Sequence, residues 1–273
     1  MSANTSNNVL TGVGPLTDED IFLFKQGRHF RLYEKMGAVP MDVDGRPGVH
    51  FSVWAPNAAK VSVMGDFNYW DRAAHPLSPR WDGSGIWEGF IPGVGTNAPY
   101  KYFIRGANGF ETEKGDPFAL AWETPPNTAS LVHADDYAWK DQAWMLERGK
   151  HNALDAPLSV YEVHLGSWKR MPEEGWRSLN YAELAEPLAR YVKDMGFTHV
   201  EFMPVMEHPF FGSWGYQTTG YFAPSRRFGP PQDFKRLVDT LHAPRHRRHP
   251  GLGALAFPHG RVWAVLFRRH APL

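Results

Sequence analysis

The feature that most constrains this chain is a change in the period of its apolar residues. Between Val49 and Ile104 they recur in short alternating runs. These are His50-Phe51-Ser52-Val53-Trp54, Lys60-Val61-Ser62-Val63-Met64-Gly65, Ile86-Trp87-Glu88-Gly89-Phe90-Ile91 and Tyr100-Lys101-Tyr102-Phe103-Ile104. Turn residues separate them: Ala55-Pro56-Asn57, Trp81-Asp82-Gly83-Ser84-Gly85 and Ala107-Asn108-Gly109. A strand buries every second side chain, so this pattern predicts an all-β sandwich of about 100 residues. From Leu158 the pattern differs. Leu158 to Leu165 reads as a strand, Tyr181 to Met195 carries Leu184, Leu188, Tyr191, Val192 and Met195 at helical spacing, and Gly196 ends that helix. Thr198 to Val205 reads as a second strand, and another helix starts at Asp233. Strand, helix, strand, long loop, helix is the opening of a parallel α/β unit.

Four segments follow: a lead-in over 1–45, the sandwich over 46–150, the α/β part over 151–243, and a tail over 244–273 that fits neither regime. Within the lead-in, residues 16–38 read as helical, with Thr17 as N-cap before Asp18-Glu19-Asp20. Tyr137 to Lys150 reads as a polar linker. Trp54 and Trp87 are both expected to be core residues.

Bulk properties exclude several classes. The formal net charge of the 273 residues is zero, so no global field gathers nucleic acid or an acidic membrane. There is no cysteine, hence no disulfide and no thiolate metal site. The N-terminus lacks a basic and an apolar signal region, and no apolar run spans a bilayer, so the expected location is the cytoplasm. Thirteen histidines form no credible metal pair, and no metal or cofactor is expected. Aromatics make up 14% of the chain, which suits sugar stacking and a β-rich core alike.

The tail is odd. After Asp239 there is no acidic residue and after Lys235 no lysine, while Arg245, Arg247, Arg248, Arg261, Arg268 and Arg269 sit among His and Pro. A nucleic-acid-binding arm is one reading. A shifted reading frame in a GC-rich gene is the other. A one-base shift from Arg245 permits Gly-Ile-Gly-Val-Ile-Leu-Asp-Trp-Val-Pro-Ser-His-Phe, an apolar strand of the kind that should follow the helix starting at Asp233. On that reading the tail histidines, His246, His249, His259 and His270, arise from the shift.

Particular strings carry a resemblance. Val63-Met64-Gly65-Asp66-Phe67-Asn68-Tyr69-Trp70, with Gly85-Ile86-Trp87-Glu88 and Tyr100-Lys101-Tyr102, resembles a family 48 carbohydrate-binding module. Tyr161-Glu162-Val163-His164-Leu165-Gly166-Ser167-Trp168 resembles the first barrel strand of family 13 α-glucan enzymes. Glu207-His208-Pro209 and Gly212-Ser213-Trp214-Gly215-Tyr216-Gln217-Thr218-Thr219-Gly220-Tyr221 resemble the branching-enzyme form of the loop after the second strand. Arg31 to Ala38 and the shifted tail string are similar to the same family.

The resemblance implies an immunoglobulin-like β-sandwich followed by the first βα units of an incomplete (β/α)8 barrel. It implies glycogen branching: cutting an α-1,4-glucan and passing it to a 6-hydroxyl. Branching is retaining chemistry and needs two carboxylates about 5 Å apart. In the family these come from later barrel strands, and Glu162, Glu201 and Glu207 match neither, so no catalytic residue is assigned. The chain alone is expected to be without branching activity. The resemblance implies that Tyr216 lies against the glucose at the cleavage site, with Trp214 beside it. Trp70 and Lys101 match glucan contacts of some such modules, while Phe110 departs from the place of their second aromatic. The expected partner is an α-glucan such as glycogen or an amylose-like chain; the oligomeric state stays open. Two alternatives remain: a non-catalytic glucan-binding fragment, and a trehalose-releasing or debranching hydrolase. The Gly-Ser-Trp-Gly-Tyr-Gln string argues against the hydrolases.

Overall fold

The computed structural model describes residues 9–243 and the backbone of 253–256, in two compact units that divide between Ala134 and Asp135. The remaining tail readings, including its arginines and histidines, lie outside the described residues.

The first unit begins with helix α1 (Asp18–Lys25). Thr17 caps it as expected: its hydroxyl accepts from the Asp20 amide at 3.3 Å, and the Asp20 carboxylate accepts from the Thr17 amide at 2.7 Å. Asp20 also receives Lys35 at 2.6 Å and His29 at 2.8 Å. Burial alone would raise its pKa, but these partners hold it well below the ordinary carboxylate value. Thr17→Ala is expected to lower stability by about 1 kcal/mol. A urea midpoint that stays put would show that tertiary contacts alone set this helix.

The sandwich strands are β1 (Gly37–Val43), β2 (Arg46–Trp54), β3 (Ala58–Gly65), β4 (Ser78–Pro79), β5 (Ile86–Pro92), β6 (Pro99–Gly106), β7 (Glu111–Lys114), β8 (Ala121–Trp122) and β9 (Ser130–Leu131). One sheet runs β1-β2-β5-β4; the other runs β3-β6-β9-β8, with β7 also on β6. Inward positions alternate: Val49, Phe51 and Val53 of β2, Val61 and Val63 of β3, Trp87 and Ile91 of β5, Tyr100 and Tyr102 of β6 share one core. Burying side chains of this size stabilises by roughly 1.5–3 kcal/mol each.

Two boundaries differ from the composition-based ones. β1 lies inside the segment assigned to the lead-in, and pairs along its whole length with β2 through an Asp44-Gly45 turn. Both turn residues have positive φ, 53° and 75°, which the tight hairpin requires and glycine and aspartate tolerate. At the other end the sandwich stops before the supposed linker. Trp54 is a further correction. It is 55% exposed, whereas Trp87 is 9% exposed. Trp54 ends β2 on the face opposite Phe51 and Val53, where the sheet is no longer covered.

The second unit contains α2 (Gln142–His151), β10 (Val160–Val163), α3 (Leu165–Trp168), β11 (Arg170–Met171), β12 (Arg177–Ser178), α4 (Tyr181–Asp194), β13 (His199–Phe202), β14 (Met206–Glu207), β15 (Gly220–Pro224), α5 (Pro231–His242) and β16 (Gly253–Ala256). β10, β13 and β16 form a parallel sheet in that order. Asn180 caps α4 through a reciprocal bond with Glu183, at 2.9 Å each way. Leu184, Leu188 and Val192 of α4 pack with Phe234, Leu237 and Leu241 of α5 against Val200 and Phe202.

Residues 135–151 are not a linker. Asp239 accepts from the Tyr137 hydroxyl at 2.8 Å and the Lys140 amide at 3.1 Å, and Lys235 pairs with Asp135. Asp141 bonds His242 at 2.9 Å, and the Trp144 ring stacks on His242 at 3.7 Å. The anchors are polar and lie about 100 positions away, so periodicity does not see them.

Candidate functional site

Parallel α/β sheets place their sites at the carboxyl ends of the strands, where successive loops meet. Here those ends carry His164 after β10 and the segment 203–219 after β13. His164 bonds the Ser167 hydroxyl through Nδ1 at 2.9 Å. Burial, then the nearby His208 and Arg170, lower its pKa, so the ring is neutral at pH 7.

The long loop is pinned at its root. Glu207 is almost fully buried and accepts from the Arg226 amide at 2.6 Å, the His208 amide at 2.9 Å and Arg227 Nη1 at 3.1 Å. Burial raises its pKa, against the pull of those donors. Arg227 continues to the carbonyls of His208 at 2.5 Å and Pro209 at 2.8 Å. His208 bonds the Met206 carbonyl at 2.8 Å. Burial lowers the pKa of His208, which therefore takes no charge near neutrality.

From that root the loop presents its rings. A turn at Phe211–Ser213 ends on Trp214, which has φ 54° and is 53% exposed. Its indole stacks on the His164 ring, with centroids 5.3 Å apart and planes at 26°. Gly215 follows with φ 88°; a Cβ there would come within 2.5 Å of the Pro204 carbonyl, so the chain can pass only as glycine. Tyr216 closes the turn through a 3.0 Å bond to the Ser213 carbonyl and is 61% exposed. Phe211 lies 6.3 Å from His164 and under the Arg227 guanidinium. The site thus offers flat aromatic faces around a neutral imidazole. Such faces take the C–H side of a sugar ring, and the imidazole can bond a hydroxyl. Trp214 and Tyr216 are the pair expected here. His164 as a ring partner and Phe211 were not singled out; the adjacent Phe210-Phe211 ahead of Gly212 was the available signal.

The described carboxylates do not form a retaining pair at this edge. Glu207 is consumed by the loop root. Glu162 and Glu201 are register partners on β10 and β13. Val163, Val200 and Phe202 face the helices, so alternation turns both glutamates to the other face of the sheet, along the strands. No group of three or more metal-ligating side chains occurs among the described residues. A cavity of about 900 Å³ between α4 and α5 is lined by Lys140, Arg190, Lys193 and Arg236 with acidic neighbours; it is a charged outer helix face.

In the first unit, Trp70 follows a turn after β3. Its amide bonds the Gly65 carbonyl at 2.9 Å and its indole N–H donates to Asp66 at 2.7 Å. Lys101 pairs with Met64 next to Gly65 and donates to the Thr128 hydroxyl at 2.8 Å. Trp70 and Lys101 therefore share one end of the sheet, together with Tyr69, which is 95% exposed. Phe110 sits beyond Gly106, whose amide it receives, about 16 Å along β6 from Lys101.

Comparison with known proteins then gives one family model, within the first unit, and a set of longer relatives that match both units. Residues 35–119 match the model of carbohydrate-binding module 48, the isoamylase N-terminal domain. The 1,4-alpha-glucan branching enzyme GlgB of Aquifex aeolicus is 55% identical over 227 residues, covering 83% of this chain and 36% of that protein. That of Rubrobacter xylanophilus is 51% identical over 243 residues, covering 88% and 32%. The chain is homologous to the N-terminal part of bacterial glucan branching enzymes. It spans about a third of the length of these relatives. The crystal structure of a "Putative alpha Amylase" from Salmonella typhimurium aligns with TM-score 0.59 and 24% identity over 85% of this chain and 35% of that one, a likeness of fold. The module match begins inside the region first assigned to the lead-in, in agreement with the pairing of β1. No described helix is long and apolar enough to cross a membrane.

Proposed function

We propose that the chain is the glucan-holding front portion of a cytoplasmic glycogen branching enzyme. The observation that carries this reading is the loop rooted on Glu207, which stacks Trp214 on His164 and leaves Tyr216 exposed at the carboxyl edge of the parallel strands. In the whole enzyme this edge would hold the glucose unit at the cleavage point, between Tyr216 and a carboxylate pair supplied by further strands. Trp70 and Lys101 would hold the same polymer on the module. The segment after Ala243 would have left the family's reading frame, and resequencing the codons from Leu241 to Arg247 tests that part.

A closed (β/α)8 barrel needs about 250 residues, and the described residues place no retaining carboxylate pair at the carboxyl edge beside Trp214 and Tyr216. The 273-residue chain is therefore expected to leave the iodine absorbance of amylose unchanged. A sustained fall accompanied by new α-1,6 linkages would overturn this. Glycogen binding is expected all the same, because the sandwich has its own core. If the chain stays in the supernatant when glycogen is sedimented, the glucan reading fails. That core also favours the second reading, a non-catalytic glucan-binding fragment.

A further inference from the structure

A second aromatic surface lies at the other end of the sandwich. Trp54, the last residue of β2, pairs with Ile86, the first of β5. Ser84 and Gly85, at the end of the loop that enters β5, therefore lie against it, and Trp81 lies across β5 from it. Trp81 opens this loop and is 86% exposed. The loop is braced throughout. Arg80 donates to Asp82 at 2.7 Å and to Glu88 at 2.6 Å, and its amide bonds the Ile86 carbonyl at 2.9 Å. The Ser84 amide donates to Asp82 at 2.9 Å, the Trp54 indole N–H donates to the Ser84 carbonyl at 3.1 Å, and Lys25 of α1 bonds the Asp82 carbonyl. Phe24 supports the Trp54 ring edge to face at 6.1 Å.

We propose that Trp54 and Trp81 form a second α-glucan platform on the module; the inference rests on the glucan reading above. With its N–H committed inside the loop, Trp54 offers its ring face, and Trp81 leaves most of a large apolar surface in water. Covering such surface with an apolar face is favourable. The surroundings select the ligand. Lys25 and Arg80 are balanced by Asp82 and Glu88, so the patch attracts no polyanion. The centre of a protein interface is depleted of charges, whereas these rings are surrounded by them. A neutral polyhydroxyl chain satisfies both conditions: its C–H faces stack and its hydroxyls reach the charged rim.

The platform is separate from Trp70. The Ala58 amide bonds the Ala55 carbonyl, which places Trp54 at the start of β3, while Trp70 is tied to Gly65 at its end. Seven residue steps of strand, about 23 Å, lie between them. Two such sites on one body hold a branched polymer by avidity although each is weak alone.

The test compares the parent chain with Trp81→Ala, Trp81→Phe and Trp70→Ala by calorimetric titration with maltoheptaose and by native gels containing glycogen. Near-UV circular dichroism serves as the fold control. Expected are a titration stoichiometry that falls by one site in Trp81→Ala, a loss of glycogen affinity of about fivefold or more, and partial rescue by Trp81→Phe. Trp70→Ala should leave the Trp81 site titrating. Unchanged stoichiometry and unchanged retention in Trp81→Ala, with binding lost in Trp70→Ala, would overturn the second platform and leave the glucan reading standing. A parent chain that binds neither ligand would overturn both. Altered self-association of Trp81→Ala without any change in glucan binding would assign the patch to a protein contact and refute the proposal.

Discussion

Glu207→Ala is expected to destabilise the second unit by about 3–5 kcal/mol, the cost of removing one partner of a buried ion pair. The change leaves the Arg227 guanidinium without its carboxylate and strips the amides of Arg226 and His208 of their acceptor. Those groups root the loop that carries Trp214 and Tyr216. Hydrogen exchange should speed up across β14 and β15, and the stacking of Trp214 on His164 should be lost. Glu207→Gln keeps shape and one acceptor and should cost less. If Glu207→Ala moves the urea midpoint by an amount equivalent to less than about 0.5 kcal/mol, the loop is held by other contacts and Glu207 is not its anchor.

The second large effect concerns pH. Asp116 is fully buried in the sandwich and accepts from the Tyr100 hydroxyl at 2.6 Å, the Tyr102 hydroxyl at 3.1 Å and the Phe118 amide at 2.8 Å. Burial raises its pKa from 3.8 to about 6, more than these donors lower it. The folded state therefore binds its proton more tightly than the unfolded chain does. Between pH 4 and 6 the unfolded state holds fewer protons, so stability falls as pH rises through this window and is flat above it. The size is about 3 kcal/mol. Asp116→Asn carries no titrating group and should lack this slope. The difference between the two unfolding curves, followed by exchange of the β6 amides, isolates the effect from Asp20 and other carboxylates. Parallel curves from pH 4 to 7 would show that Asp116 titrates normally.

Much of the fold was legible in the chain because short-range chemistry decides it. The Thr17 cap acts over three residues, and the alternation of Val49, Phe51 and Val53 is a property of a single strand. Strands such as β7, Glu111 to Lys114, were missed since all four of their residues are polar and pair only at an edge. Trp54 and Trp87 were both expected in the core, but Trp87 pairs with Val53 on the inner face, whereas Trp54 ends its strand on the other face. Trp214 and Tyr216 were legible as a motif, but neither the ring beneath Trp214 nor the root beneath the loop was.

The sequence by itself determined the two regimes of the chain, its caps and turns, its inward strand positions, its neutral charge and the family strings. Each depends on residues a few positions apart. Tertiary structure alone decided that 135–151 is anchored to α5, that His164 supports Trp214, that Glu207 is buried with Arg227, and that the Trp54 indole N–H is held by the Ser84 carbonyl. Those contacts join residues some 20 to 100 positions apart. Burial and pairing, which set their energies, exist only once the sheets have brought them together.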